Sequence, residues 1–395
     1  MIDPETRAAP PRSAAPRRAA PALLGYAAVR ALGLLVLALW SGASGKSAYS
    51  LLTARWDSLW YTRVAELGYG YEVRLANGDV HSNLAFFPLL PWLERLLHAA
   101  TPLSYAGAGF TVSLLASLAA AWGIFAVTDF VYGRRAGVCA VLLWAVLPVG
   151  IVQSMAYSES LFTALAAWSL YAVLTGRWLT AGALAALAGL TRPVGLAVVA
   201  AVWTAGIVSF VRTRSEASTH GAYIEEHAPS FTRRALAMSL APLGAAGYVL
   251  WVGHRTGRGP LGYLDVQAGW RNGFDGGWAF ARFVADKFTS FPSALAGVGL
   301  IVGVGLVIWL YVIGVRQRQP LPLLVYTGVV TALALCASSY FGSKPRLLLP
   351  AFPLLLPLAL ALARLRTSRA ALVVGGVAVL SAAYGAFWLN GSGPP

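Results

Sequence analysis

The stretch "PSALAGVGLIVGVGLVIWLYVIG", residues 292–314, runs for 23 positions without a charged side chain. As a helix rising 1.5 Å per residue it is about 35 Å long. That exceeds the roughly 30 Å hydrocarbon core of a bilayer. Working outward, similar apolar runs fall at 23–41, 105–131, 136–154, 160–175, 178–190, 194–211, 235–253, 321–338, 347–363 and 370–389. The bulk composition agrees. The chain is 58% hydrophobic with a mean hydropathy of +0.66, and only 11% of its residues are charged, whereas a soluble domain carries about 25%. The runs lack the period-two alternation of barrel strands, so helices must satisfy the backbone inside lipid. The expected fold class is all-α, a polytopic membrane protein with about eleven transmembrane helices.

The net charge of +15 raises the question of nucleic acid. Its placement argues for membrane topology instead, because no basic face lies beside an aromatic platform. With the N-terminus inside, the inner loops hold sixteen of the 30 Lys and Arg residues: Arg7, Arg12, Arg17, Arg18, Arg134, Arg135, Arg177, Arg212, Arg214, Arg233, Arg234, Arg316, Arg318, Arg364, Arg366 and Arg369. This is the positive-inside pattern, and it puts the C-terminus outside. Arg30, within the first run, is expected to snorkel inward. Cys139 and Cys336 lie in apolar runs at a spacing that suits neither a zinc site nor a redox pair. The expected layout is a disordered cytoplasmic tail over 1–22, one transmembrane domain over 23–389 and an outer tail over 390–395. An inner loop spans 212–234, and two long outer loops span 42–104 and 254–291. The first run reads as a retained helix, and "FFPLLPWLERLL" (86–97) as a re-entrant or interfacial one.

Most of the chemistry-bearing residues lie on the outer side. In "RWDSLWYTRVAELGYGYE" (55–72), an interfacial aromatic belt accounts for Trp56, Trp60 and Tyr61. It does not account for Asp57, an acid at the membrane edge. Arg55 and Arg63 are its candidate partners. A surface helix from residue 56 places Trp56, Trp60, Arg63 and Val64 on one face, with Asp57 and Tyr61 nearer another. Asn77-Gly78 predicts a tight hairpin turn before "SNLAFFP". In "AYSESLF" (156–162), Glu159 falls at an outer helix start. There, capping by Ser158 or Ser160 and the helix dipole explain an acid as well as catalysis does. Arg192 precedes the helix-breaking Pro193 at an outer turn. Lys344 and Arg346, in "FGSKPRLLLP" (341–350), lie outside against the inward bias, where cations suit a phosphate or a lipid headgroup.

Taken in order, "WDSLWYTRVAELGY", "SNLAFFPLLP", "AYSESLF" and "GLTRPVGL" resemble the GPI mannosyltransferase II (PIG-V) family and its bacterial relatives. The resemblance covers most of residues 23–211 and is looser after 254, where "KPRLLLP" is the matching element. The family belongs to the GT-C glycosyltransferases. The resemblance implies a GT-C architecture whose large first extracytoplasmic loop carries interfacial helices. It also implies an enzyme that takes mannose from a polyprenyl-phosphate-mannose donor. Carried over residue by residue, Asp57 matches the family's catalytic acid. Asn83, Phe86 and Phe87 match its Asn-x-Ala-Phe-Phe-Pro, Glu159 its Tyr-Ser-Glu, and Arg192 its arginine after a short span. Pro193-Val194 stands where eukaryotic members have polar residues, so the acceptor side departs from the pattern. The Arg-over-Lys, Ala-rich composition resembles that of a GC-rich bacterial genome and implies a multi-pass bacterial inner-membrane protein.

Sugar transfer to a hydroxyl needs a base at the attacking oxygen and cations at the departing phosphate. Asp57 is the expected base, with Glu159 as the second catalytic candidate. Lys344, Arg346 and Arg192 are the expected phosphate ligands. Trp56, Trp60, Tyr61, Asn83, Phe86 and Phe87 are expected against lipid or sugar. The first outer loop has no Asp-x-Asp motif, so no cofactor is expected; a divalent metal remains compatible with the chemistry but is not indicated. Expected partners are the donor, a lipid-linked or protein acceptor, and membrane lipids, with no nucleic acid. Two rival classes are a lipid-linked sugar carrier or flippase, and a non-catalytic envelope-assembly subunit. The first calls for internal repeats and broken midplane helices, and no repeat is visible. The one deep acid, Asp129, lies near Arg134 at an inner end.

Overall fold

The structure is a computed structural model that describes residues 15–220, 231–391 and 393. The first fourteen residues of the expected tail and residues 221–230 of the expected inner loop lie outside the described residues. Helix α1 (Ala15–Ala43) already includes residues 15–22, which were expected in the tail. Short α2 (Ala48–Thr53) leads to α3 (Asp57–Leu67), which Gly68 terminates at φ 79°. The expected hairpin follows: β1 (Glu72–Arg74) pairs antiparallel with β2 (Val80–Ser82), with Gly78 at φ 87° in the turn, where a Cβ would strain the backbone. Pro88 and Pro91 sit at the start of α4 (Leu89–Ala100), where no intrahelical N–H is lost.

Helices α5 (Tyr105–Tyr132) and α6 (Arg134–Ala145) come next. Pro148 breaks the run expected over 136–154, and a single 3-10 segment (Gly150–Ser154) completes it. Arg30 lies here, buried, donating to the carbonyls of Ala145 and Gly150. The helix break leaves those acceptors free, so the expected inward snorkelling does not occur. Helices α7 (Glu159–Leu174), α8 (Trp178–Gly189) and α9 (Leu196–His220) follow, then α10 (Phe231–Leu240) and α11 (Leu243–Thr256), separated at Pro242. The stretch over 254–291, expected as the second outer loop, contains α12 (Gly262–Gly269), β3 (Gly273–Phe274) and α13 (Trp278–Asp286). The chain ends through α14 (Phe291–Arg316), α15 (Leu321–Cys336), β4 (Ala337–Ser338), which pairs with β3, one-turn α16 (Lys344–Leu347), α17 (Leu356–Arg364) and α18 (Thr367–Asn390).

The polytopic all-helical class holds, but the expected count of about eleven spans is not confirmed. Among the described residues, six helices are long and apolar enough to cross a membrane. A seventh span results if the pair 341–347 and 352–364, bent by 76°, counts as one. Helices α7, α8 and α15 are apolar but short; at 1.5 Å per residue they reach only about 18–24 Å. The shortening has a direction. Glu159 is the first residue of α7, α8 ends just before Arg192, and α15 ends before Lys344 and Arg346. The helices stop short at the end where the charged residues collect.

Small residues set the packing. A Cβ on Gly189 would lie 2.6 Å from the Ala245 backbone nitrogen, so α8 and α11 meet backbone to backbone, as helices in lipid do. At the opposite end from Asp57, Arg18 holds Asp129 through two bonds of 2.7 and 3.1 Å. Asp129 therefore pairs with Arg18, where the sequence pointed to Arg134.

Candidate active site

The first turn of α3 delivers Asp57. The residue before it, Trp56, has φ 51°, a left-handed conformation that a bulky side chain rarely takes. Strain of this kind persists where the surroundings impose it, commonly at functional sites. Here the neighbouring Arg55 is firmly anchored. Its guanidinium stacks 4.0 Å from the Trp56 ring and donates to the carbonyls of Leu389 and Gly391 at the end of α18. Arg55 is thus committed elsewhere, and Arg63 lies over Tyr71. Neither is the partner of Asp57. The buried face of α3 is Ser58, Tyr61, Val64 and Ala65, so Tyr61 and Val64 share the face expected to divide them.

The partner of Asp57 arrives from 289 residues away. Arg346 Nη1 donates to Asp57 Oδ2 at 2.8 Å. Its Nε lies 3.3 Å from Glu159 Oε1, and Arg192 Nη1 lies 2.8 Å from the same oxygen. These two contacts are ion pairs rather than aligned hydrogen bonds, since the Glu159 oxygens and Arg346 Nε remain without hydrogen-bond partners. Arg192 also donates to Ser158 Oγ at 3.0 Å, and Ser158 shares a 2.7 Å hydrogen bond with the Tyr61 hydroxyl. Ser158 therefore does not cap α7. The chain Asp57–Arg346–Glu159–Arg192–Ser158–Tyr61 gathers two acids and two bases from four distant segments. Exposure separates the acids: Glu159 is 0% exposed and Asp57 26%.

Tyr157 completes the floor. The Arg346 guanidinium lies 5.0 Å over its ring, and Ser113 Oγ holds its carbonyl at 2.8 Å. Sequence reasoning gave Tyr157 no role of its own and gave Ser158 only that of a helix cap. The only signal was their position beside Glu159 in a run otherwise explained by capping.

Other expected ligands go elsewhere. Lys344 is buried, and Nζ donates to the carbonyls of Ala334, Leu335 and Ala337 at 2.8, 3.2 and 2.9 Å. All three ammonium protons are taken up at the end of α15, so Lys344 closes a helix and is not a free phosphate ligand. Asn83 is wholly buried, and its amide bridges Gly70 N and Gly68 O at 3.0 Å each. Phe87 packs with Tyr248 and Tyr263 in a separate core. Asn83 and Phe87 are therefore scaffold rather than substrate contacts. Phe86 does join the site's margin. It stacks on Trp60 at 5.7 Å, meets Tyr61 edge-on at 5.2 Å, and both Phe86 and Trp60 pack against Trp270, just after α12. Trp270 carried no sequence signal.

The donor set fits poorly to a divalent metal. Among the described residues no group of three or more His, Cys, Asp or Glu side chains comes together. Both nearby carboxylates are engaged by guanidinium groups.

Residues 35–217 match the family model Mannosyltransferase (PIG-V). The matched segment includes Asp57, Glu159 and Arg192; Arg346 lies beyond it. No curated protein sequence matches. Among solved structures, the chain resembles ArnT from Cupriavidus metallidurans bound to undecaprenyl phosphate. Identity is 14% and the TM-score 0.50, with 90% of this chain and 62% of that one covered. A second match is the archaeal oligosaccharyltransferase AglB from Archaeoglobus fulgidus, at 12% identity and a TM-score of 0.47, covering 94% of this chain and 56% of that one. The chain thus spans about three-fifths of the length of the solved proteins it matches. The fold is the polytopic helical fold seen in ArnT.

Proposed function

We propose that the protein is a membrane glycosyltransferase that moves mannose from a polyprenyl-phosphate-mannose donor to a hydroxyl of a lipid-linked or protein acceptor. The reaction takes place at the outer face of a bacterial inner membrane. The observation that carries the reading is the Arg346–Asp57 pair beside Glu159 and Arg192. It places one partly open carboxylate on a guanidinium group that a buried acid links to a second one. The match to a mannosyltransferase family supports the sugar, and ArnT bound to undecaprenyl phosphate supports the carrier.

Asp57 takes the proton from the acceptor hydroxyl. The acceptor oxygen forms its bond to the anomeric carbon of the sugar. The bond from that carbon to the phosphate oxygen breaks, and polyprenyl phosphate departs with the bonding electrons. Attack opposite the leaving group inverts the anomeric centre. Arg346 and Arg192 meet the charge on the phosphate, and no step calls for a metal. Glu159, buried between the two guanidinium groups, holds them in place and has no room to receive a proton from an acceptor. Donor binding also bears on the base. A phosphate on Arg346 competes with Asp57 for the same guanidinium, which leaves the carboxylate free for the acceptor. Trp60, Phe86 and Trp56 line the approach of sugar or isoprenoid, while Tyr61, expected there from the sequence, is buried behind Phe86 and bonds Ser158.

Asp57→Asn keeps the size of the side chain and removes the base. Transfer is expected to fall by about 10²–10⁴ with donor binding retained. Asp57→Glu recovers little, because a displacement of about 1 Å costs roughly 10². Normal transfer by the Asn variant removes Asp57 from the mechanism. The carrier or flippase reading could draw on the bent pair 341–347 and 352–364, but the internal repeats it calls for are not visible in the sequence.

A further inference from the structure

The Tyr157 side chain is 1% exposed. Its hydroxyl is buried and donates to no partner; the Asp57 backbone amide is the one hydrogen-bonding group that bears on it. Buried polar groups in folded proteins are almost always paired, so an orphan calls for a reason. The surroundings supply one. The Arg346 guanidinium lies over the same ring at 5.0 Å, and the Asp57 carboxylate and backbone amide, Arg346 and Glu159 all act on the hydroxyl. Arg346 Nε and the Glu159 oxygens beside it are likewise without hydrogen-bond partners. Burial raises the Tyr157 hydroxyl well above its ordinary range, the Asp57 and Glu159 charges add to this, and Arg346 and the Asp57 backbone amide oppose it. The group is therefore a protonated O–H with nothing to donate to. Its backbone is fixed from both sides, by Ser113 on its carbonyl and by its own amide on the Met155 carbonyl at 2.8 Å.

We propose that the Tyr157 hydroxyl is a neutral ligand for the phosphate of the polyprenyl carrier, donating its O–H to a phosphate oxygen while Arg346, stacked on its ring, supplies the charge. This rests on the reading that the site handles a polyprenyl phosphate, and it adds a contact that the sequence gave no reason to expect. A hydroxyl suits this place. It binds the anion without adding a third positive charge that would draw Asp57 away from the acceptor.

The test uses Tyr157→Phe, which keeps the ring beneath Arg346 and deletes only the hydroxyl. Binding of a sugar-free polyprenyl phosphate to the purified protein in detergent is read by intrinsic tryptophan fluorescence, alongside the acceptor KM in transfer. A hydrogen bond to a charged group is worth about 10- to 100-fold in affinity. The expected result is a Kd weaker by about that factor, with the melting temperature and the acceptor KM unchanged. An unchanged Kd in Tyr157→Phe, with Arg346→Ala weakened, overturns the role of Tyr157 and leaves the site reading intact. An unchanged Kd with a raised acceptor KM also overturns it, because the hydroxyl then serves the acceptor. If both variants bind polyprenyl phosphate as the wild type does, the site reading fails and this inference fails with it.

Discussion

Glu159 and Asp57 are both carboxylates at the first residue of a helix, but their surroundings divide them. Glu159 is fully buried with a guanidinium on either side, whereas Asp57 keeps a quarter of its surface and one partner. Removing one member of a buried ion pair costs about 3–5 kcal/mol, since the remaining charge is left uncompensated. Glu159→Gln is therefore expected to lower stability by roughly that amount, well beyond the ~1 kcal/mol of a lost helix cap. It should also weaken transfer by releasing Arg346 and Arg192. Thermal unfolding of the detergent-solubilised variant measures this. A melting temperature equal to that of the wild type would show that its two ion pairs add nothing to stability. The sequence made Asp57 and Glu159 visible as acids out of place, and the resemblance carried Arg192 with them. It could not make their pairing visible. Arg346 lies 289 positions from Asp57, and nearer arginines, 55 and 63, offered simpler partners.

At the scale of the element, the late segment "FGSKPRLLLP" divides its two cations between two tasks. Lys344 gathers carbonyls at the end of α15, where the helix dipole favours a cation. Arg346, half a turn on, reaches the acids. From sequence the two looked alike, because an outer cation near a span's mouth reads the same whether it meets a phosphate or a carbonyl. The same limit applied to Asn83, where a matching motif residue proved to be the amide that ties Gly68 to Gly70. Replacing Lys344 with Met leaves three carbonyls without their donor. An unpaired buried polar group costs about 1–3 kcal/mol. Lys344→Met is expected to melt earlier while binding polyprenyl phosphate with unchanged Kd. A Kd weakened tenfold at unchanged melting temperature would restore Lys344 as a phosphate ligand.

For the whole molecule, the apolar runs and the arginine pattern made the polytopic helical class legible, because span length and loop charge are local properties of a chain. The number of full spans was not legible. Hydropathy reads α7, α8 and α15 as crossing segments, yet they stop short where Glu159, Arg192 and Arg346 must meet. Shortening of this kind is decided by the site and not by the run. The proposed function puts that site on the outer face, and the central claim is that sugar transfer happens there. The most direct measurement reconstitutes the protein in sealed vesicles. Cysteines placed singly at Ser47 and Thr232, both exposed, define sidedness by labelling from opposite sides. A panel of polyprenyl-phospho-sugars is then supplied on the Ser47 side, with an acceptor extract. The account predicts transfer of mannose from polyprenyl-phosphate-mannose on that side, and its loss in Asp57→Asn. It is contradicted if both cysteines label from one side, if the Asn variant transfers as well as the wild type, or if the lipid crosses the bilayer with its sugar still attached.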